Sequence, residues 1–291
     1  MKIDLHIHSR CSDGRLTLNA IFKEAVKKGL SLISITDHDS IDCQVDARMM
    51  ADRYDISYLY GLELNVSFSP TGYKDMKPVS LDFLAYQYDI HSKSLVIKLD
   101  ELREYRKKRA ERILENINRE LVKERLKELT HKDLKKIEKS VHGAFGRPHI
   151  ADYMVNKGIV SSRKEAFSRY LIKCNVPKMP LTLTEASRLV KGAGGKLFLA
   201  HPNHPRGTSL IKISADLKEQ QKIINEIMIP YIDGVECWHS AHDQESTASY
   251  IKFAQANGLM VTGGSDCHQQ PLLIGTVDVP DYVAKQFNID L

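Results

Sequence analysis

The sequence lacks the features of several protein classes. No apolar run approaches the roughly 20 residues of a membrane helix, and the first strand-like segment begins at Lys2, which leaves no room for a signal peptide. The five cysteines form no CxxC pair and are odd in number, which argues against a disulfide scaffold and favours a reducing compartment. No internal repeat is present. These absences predict a soluble cytoplasmic protein with no membrane partner.

The charge of the chain is slightly positive and unevenly placed. The 291 residues carry a formal net charge of +5, and 42% of them are hydrophobic, as in a globular protein. Residues 98–139 hold 15 Lys/Arg against 10 Asp/Glu, so the whole excess lies there. It indicates either a solvated helix surface or a patch that attracts phosphate-bearing ligands. No nucleic-acid recognition motif accompanies it, so no stable nucleic-acid complex is expected.

The outer parts of the chain alternate strands and helices. Residues 2–8 alternate apolar and polar side chains, which predicts a strand, and a helix over 18–28 ends at Gly29. Further strands are predicted over 30–36, 57–62, 79–86, 196–200, 232–237 and 259–262, with a helix over 244–257. This order is typical of an α/β protein with a parallel sheet or barrel.

A helical block interrupts this pattern. Apolar residues at helical spacing run from Leu95 to Leu121, with Arg106 interrupting the stripe, and more helices are expected over 125–139, 148–157 and 163–173. The sequence therefore predicts one domain formed by 1–94 and 183–291, with an inserted helical subdomain over 95–182.

Residue types that bind metals follow the predicted strands. His6 and His8 share one face of the first strand, which alone is a weak signal. Six more His, Asp and Glu residues lie just after this strand or at the ends of later predicted strands: Asp13, His38, Glu63, His201, Asp266 and His268. In a closed parallel barrel those strand ends meet at one rim, and so many side chains there imply two or three cations. Such a cluster activates water and stabilises phosphoryl oxygens, and no serine or cysteine nucleophile is apparent.

Five motifs in order resemble one known family. They are DLHIHSRCSDG, ITDHD, GLE, AHP and GGSDCH, at residues 4–14, 35–39, 61–63, 200–202 and 263–268. The series resembles the PHP (polymerase and histidinol phosphatase) phosphoesterases. GRPHIADYMV at 146–155 and GVECWHSAHD at 234–243 resemble its nucleotide-phosphatase branch, which acts on 5′-AMP or nucleoside 3′,5′-bisphosphates and is related to the short-RNA exonuclease RNase AM.

The resemblance implies a distorted (βα)₇ TIM-like barrel with two or three divalent metal ions, Mn, Fe or Zn. By position, the first metal would be held by His6, His8, Glu63 and Asp266, and another by Asp13, His38 and His268. Glu63 would bridge to a third, completed by His201 and Asp82. The family usually has histidine at the last position, and aspartate there favours Mn or Fe over Zn or leaves the site weak.

The resemblance also places residues near the substrate. Arg147, His149 and His242 match positions beside the substrate phosphate, and Arg206 is a weaker candidate for a second phosphate. His149 or His242 would bind a phosphoryl oxygen or protonate the leaving alkoxide, with Asp13 as a further catalytic residue. From the residues alone, Arg147 fits a surface ion pair and His149 a helix start beside Pro148.

The expected function is hydrolysis of phosphate monoesters of small nucleotides, with short 5′-phosphorylated oligonucleotides as a further substrate. Three alternatives stay open: a histidinol-phosphate phosphatase, a zinc amidohydrolase, and a non-catalytic metal-binding module. The insert argues against the first, the ligand count against the second, and the nearly full ligand set against the third. The sequence does not indicate the oligomeric state.

Overall fold

The computed structural model describes residues 1–70, 72, 77–139, 145–269 and 272–290. Its strands are β1 (Lys2–Ile7), β2 (Leu30–Ile35), β3 (Ser57–Tyr58), β4 (Gly61–Phe68), β5 (Val79–Tyr86), β6 (Lys196–Leu199), β7 (Gly234–His239) and β8 (Met260–Gly264). They form two sheets, with the orders β1-β2-β3 and β4-β5-β6-β7-β8. The α/β class predicted from the sequence is therefore confirmed.

Helices connect most of these strands. They are α1 (Leu18–Lys28), α2 (Gln44–Tyr54), α3 (Lys93–Lys123), α4 (His131–Lys139), α5 (Arg147–Asn156), α6 (Arg163–Ala166), α7 (Leu183–Gly192), α8 (Leu217–Ile223), α9 (Gln244–Ala256) and α10 (Tyr282–Lys285). The predicted α1 is confirmed: Thr17 caps its first turn, and Gly29 ends it in the left-handed conformation that glycine adopts without strain. No helix in the described ranges is long and apolar enough to cross a membrane.

One strand breaks the parallel arrangement. The pairs within β1-β2-β3 and β6-β7-β8 are parallel, whereas β5 runs antiparallel to both β4 and β6. The expected parallel arrangement is therefore found in both sheets but not at β5, because the short connection from Phe68 to Val79 cannot hold the crossover that parallel neighbours need.

The two sheets meet through isolated bridges. Ile7 pairs with Cys267, and His38 pairs with Glu63, both in parallel orientation. No ladder of strands closes a barrel among the described residues. The predicted strand over 57–62 is divided into β3 and β4, so Glu63 lies near the start of β4 and not at a strand end. Glu63 still lies next to the predicted ligand His38, because β4 pairs with residues 37–39 just beyond the end of β2.

The helical insert has a hydrophobic core of its own. Ile113, Ile117 and Tyr170 belong to a buried cluster drawn from residues 110–174. The first turns of α3 pack differently, since Leu95 and Leu99 join the core of the larger sheet. The long helix therefore links two cores, and the predicted boundaries at 95 and 183 stay a prediction.

Candidate metal centre

Strand β1 aims two imidazoles at the same point. His6 and His8 are fully buried, and their Nε2 atoms lie 3.2 Å apart. The end of β8 comes close because Gly264 has no side chain: a Cβ atom there would lie 2.3 Å from the backbone nitrogen of His6. Beyond this glycine the Asp266 amide donates to the His6 carbonyl at 2.8 Å, which fixes the Asp266 carboxylate beside both histidines.

The sequence-predicted ligands converge in three overlapping groups. In each group the ligating atoms lie within 4.8 Å of one another. The groups are His6, His8, Glu63 and Asp266; His8, Asp13, His38 and His268; and His38, Glu63 and Asp82. His201 adjoins the third group, with its Nε2 atom 3.2 Å from Glu63 Oε1. The structure thus brings all nine predicted ligands to one place, and it adds His8 to the second group.

The spacing of these atoms fits shared cations. Glu63 Oε2 lies 3.1 Å from His8 Nε2, and Asp266 Oδ1 lies 3.3 Å from His6 Nε2. Both oxygens, and Asp13 Oδ1, are buried and have no hydrogen-bond partner among the described residues. Two ligands held about 2.1 Å from one ion at 90–110° would lie about 3.0–3.4 Å apart. The donor set and its unsatisfied oxygens therefore fit divalent ions.

Charges in this cluster are strongly coupled. Burial by itself raises the pKa of Asp266, but the neighbouring His6 and His268 hold that pKa well below its usual range. Burial lowers the pKa of His8, yet contacts with Asp266 and Glu63 outweigh it and raise the value to about 10. The pKa of His201 rises to about 9 in the same way, chiefly through Glu63. The carboxylates thus require cations, which are protons when no metal is bound.

Asp82 occupies the position where the family usually has histidine. Its carboxylate accepts a 2.5 Å hydrogen bond from Asn65 Nδ2, across the β4-β5 pair. Burial raises the pKa of Asp82, and the nearby Glu63 raises it further. A bound cation would reverse this shift, so the geometry is compatible with the predicted ligand role.

Glu236 is a site residue that the sequence analysis missed. It is fully buried in β7, and its Oε1 atom lies 3.0 Å from His6 Nδ1. Its Oε2 atom accepts the His201 amide at 2.8 Å. This carboxylate holds the His6 ring with Nε2 toward the cluster, the arrangement that orients metal-bound histidines. The available signal was an acidic residue between apolar neighbours, Val235 and Cys237, in a predicted strand.

Asp37 connects the first two ligand loops. One of its oxygens accepts hydrogen bonds from the Ser9 amide at 2.8 Å and from Ser12 Oγ at 2.5 Å. The other accepts from Ser9 Oγ at 2.6 Å. Two residues after Asp37, the carboxylate of Asp39 forms an ion pair with Arg106 of α3. Arg106 interrupts the apolar stripe of that helix because its guanidinium pairs with this carboxylate.

His239 is a further histidine next to the cluster. It is buried, and its Nε2 atom lies 3.4 Å from Asp266 Oδ2 without a hydrogen bond. The Ala241 amide donates to its Nδ1 atom at 3.0 Å, so the Nε2 atom carries the proton in the neutral ring. His239 therefore faces the free side of the Asp266 carboxylate.

Of the two predicted substrate residues in α5, His149 lies beside the first ligand loop, whereas Arg147 packs within the insert. His149 Nε2 donates to the Ser12 carbonyl at 2.8 Å, and its Nδ1 accepts the Gly146 amide at 3.0 Å. Burial lowers its pKa, so the ring is neutral. Arg147 donates to the Leu171 carbonyl at 3.2 Å and covers the Phe167 ring. Both side chains are engaged by protein groups, and neither forms an ion pair with an acid in the part of the chain that the structure describes.

The other two predicted substrate residues differ in exposure. His242 is partly buried: its Nδ1 donates to the Cys237 carbonyl at 3.0 Å, and the Asn203 amide donates to its Nε2 at 3.3 Å. Burial and the nearby His239 lower its pKa to about 4, so it is neutral at pH 7. Arg206 is exposed in the loop after β6.

A basic cleft opens next to Asp13. It has a volume of about 940 Å³ and lies between the first ligand loop and helices α5 and α6. Its lining includes Arg10, Arg15, His149, Arg163 and Lys164. Asp152 pairs with both Arg15 and Arg163, which leaves the cleft with a positive surplus. Such a surplus attracts anions to this surface.

Comparisons with known proteins agree with this geometry. The chain is 26% identical to a 3′,5′-nucleoside bisphosphate phosphatase of Chromobacterium violaceum, over 91% of this chain and 87% of that protein. It is 27% identical to the 5′-3′ exoribonuclease Rnm of Escherichia coli, over 91% and 85%.

A solved structure from Bifidobacterium adolescentis, whose assignment as a metal-dependent phosphoesterase is inferential, superposes with a TM-score of 0.81 at 26% identity, covering 99% of this chain and 97% of that one. The family model for the PHP domain matches residues 4–175, more than half of the chain. The chain therefore belongs to the PHP domain family.

Proposed function

We propose that this chain is a metal-dependent phosphoesterase that hydrolyses phosphate monoesters of small nucleotides, with water as the attacking group. The observation that carries the proposal is the convergence of nine His, Asp and Glu side chains with three unsatisfied carboxylate oxygens. The full-length similarity to a 3′,5′-nucleoside bisphosphate phosphatase supports the substrate class. Short oligoribonucleotides are a further candidate, because another relative is a 5′-3′ exoribonuclease.

The proposed centre holds two or three ions of Mn, Fe or Zn. His6, His8, Glu63 and Asp266 would hold one, and His8, Asp13, His38 and His268 a second. His38, Glu63 and Asp82, with His201, would hold a third. When bound, such ions lower the pKa of water and stabilise charge on phosphoryl oxygens. The two sheets would then be the two parts of a distorted (βα)₇ barrel, and a cytoplasmic location stays a prediction.

Residues around the cluster have distinct proposed roles. Glu236 orients His6, and Asp37 fixes the loop that carries Asp13. Arg10 and Arg15 in the cleft provide cations for the phosphate or for the part of the substrate beyond it. His149 is neutral and lies next to Asp13. It would bind the leaving group, or protonate it after the ring itself has taken up a proton, only once Nε2 releases the Ser12 carbonyl.

A phosphate-release screen tests the proposal. Purified protein with Mn²⁺ is given AMP, a nucleoside 3′,5′-bisphosphate, histidinol phosphate and a short 5′-phosphorylated RNA, and metal content is measured in parallel. We expect release from the nucleotides and at least one bound ion per chain. Asp266→Asn should lose bound metal and activity, because the Asp266 carboxylate lies beside both His6 and His8 in the first ligand group.

The matched control is Asp278→Asn, the same change at an exposed position. It should keep both metal content and activity. A preference for histidinol phosphate would contradict the nucleotide assignment. Retention of full activity by Asp266→Asn would contradict the proposed centre itself.

A further inference from the structure

Two cysteines link the loops that carry the proposed ligands Asp13 and His38. The structure pairs Cys11 with Cys43, whose Cα atoms lie 6.1 Å apart, within the usual disulfide range. Cys11 precedes Asp13 by two residues, and Cys43 follows His38 by five. No sequence pattern indicates this pair, because 32 residues separate the two cysteines and no CxxC spacing marks them.

The surroundings favour a disulfide over a second metal site. Among the described residues, Asp37 is the only further metal-binding side chain whose ligand atom lies within 4.8 Å of both sulfur atoms. Its carboxylate already accepts three hydrogen bonds from Ser9 and Ser12, so it has little capacity left for an ion. Two thiols without further donors cannot complete the four-coordinate site that zinc requires.

The two thiols differ in ways that suit stepwise oxidation. Cys43 is partly exposed and begins helix α2, where its side chain makes no capping hydrogen bond. Cys11 is only 5% exposed, and it can reach Cys43 but not a bulky reagent. Cys43 is therefore the attacking thiol and Cys11 the resolving one.

We propose that Cys11 and Cys43 form a reversible disulfide whose state sets how tightly the adjoining centre holds its metal ions. The Cys43 thiolate attacks one sulfur of a small-molecule disulfide such as glutathione disulfide and releases one thiol. The Cys11 thiolate then attacks the Cys43 sulfur and releases the second. Two protons leave the cysteines, and the two electrons reduce the external disulfide to two thiols.

The oxidised form is the one that fixes the ligand geometry. The bond ties the loop with Asp13 to the loop with His38, beside the hydrogen bonds that Asp37 already makes between them. Reduction removes the covalent link and leaves only those hydrogen bonds. In reducing compartments, protein disulfides are usually transient and regulatory, which is consistent with a switch. This inference rests on the metal-binding part of the proposed function.

The test combines thiol counting with metal affinity on the full chain. After incubation with glutathione disulfide and denaturing alkylation, we expect three reactive thiols, those of Cys174, Cys237 and Cys267. After reduction we expect all five. Mn²⁺ affinity, measured by competition with a chelator, should be about fivefold higher in the oxidised protein. By reciprocity, saturating Mn²⁺ should shift the midpoint of reduction about fivefold, or about 20 mV toward harder reduction.

Controls separate the possible outcomes. Cys43→Ser should show four thiols and one Mn²⁺ affinity in both redox states, whereas Cys174→Ser should keep the full response. Five thiols after oxidation, equal Mn²⁺ affinities in the two states, or a zinc ion released on alkylation and absent from Cys43→Ser would each overturn the inference. If the affinity difference persists but no substrate releases phosphate in either state, the proposed activity fails and the switch stands.

Discussion

The role of Glu236 gives the sharpest test of the centre. Its carboxylate accepts from two groups: the His6 ring at Nδ1, 3.0 Å away, and the His201 amide at 2.8 Å. Glutamine has nearly the same shape but only one acceptor oxygen. If that oxygen keeps the His201 amide, the amide NH₂ faces His6 Nδ1 and needs an acceptor there. The ring proton then moves to Nε2, where it blocks the lone pair that points at the cluster.

The expected size of the effect follows from this geometry. Glu236→Gln loses one charge-assisted hydrogen bond and the preferred tautomer of His6. Removing such an orienting partner typically lowers metal affinity about 10- to 100-fold, which is about 1.4–2.7 kcal/mol. Mn²⁺ binding should be measured by chelator competition at pH 7, with circular dichroism and thermal unfolding to check that the protein is folded.

Glu226→Gln is the matched control, because it makes the same chemical change at an exposed position. It should bind Mn²⁺ as the parent does. If Glu236→Gln folds normally and its affinity lies within twofold of the parent, the orienting role of Glu236 is wrong. The negative charge of Glu236 also raises the pKa of His6. If His6 keeps the raised pKa of the parent in the metal-free Glu236→Gln variant, that charge is not the cause.

Three further predictions concern the third ligand group, pH and the insert. Asp82→His should shift metal preference from Mn²⁺ toward Zn²⁺ in competition experiments, and unchanged metal content and activity would show that Asp82 is not a ligand. Without metal, His8 and His201 have folded-state pKa values of about 10 and about 9, above the unfolded value near 6.5. Their stabilisation is complete below pH 6.5 and is lost toward pH 9–10, so the unfolding temperature of metal-free protein should fall across that window while Mn²⁺ affinity rises. A flat pH profile for both would contradict this. Ile117→Ala should cost about 2–5 kcal/mol of unfolding free energy, because Ile117 is fully buried in the core of the insert. Denaturant titration should show that loss with the metal content unchanged.

Strong local signals made parts of the fold predictable. Alternating side chains marked β1, and a glycine at the end of an apolar stripe marked α1. Helix α2 was missed because it has little amphipathic pattern: Val45 and Met49 are exposed, while the polar Gln44 is buried. Gln44 donates from its side chain to the Ile35 and Gly61 carbonyls, a tertiary arrangement that periodicity does not reveal.

The same contrast between local sequence patterns and tertiary contacts applies to the site. The convergence of the proposed ligands was predictable because metal-binding residue types recur at motif positions in or just after strands. Glu236 was not, since it lies within β7 and acts on His6 through a contact 230 residues away in sequence. The Cys11–Cys43 pair was missed for a similar reason, because only the folded loops bring the two residues together.

The acidic side chains of the cluster couple metal binding to the protonation of the neighbouring histidines. Asp13, Glu63, Asp82, Glu236 and Asp266 lie in one buried region. Two carboxylates about 4 Å apart repel by about 4 kcal/mol at the effective dielectric constant of protein sites. The imidazoles offset this repulsion by taking up protons, which raises their pKa values and leaves oxygens aimed at a common space. Cations that enter must displace those protons, so metal binding should release protons, and fewer of them as the pH rises. The acid excess therefore both attracts the metal and makes its binding depend on pH.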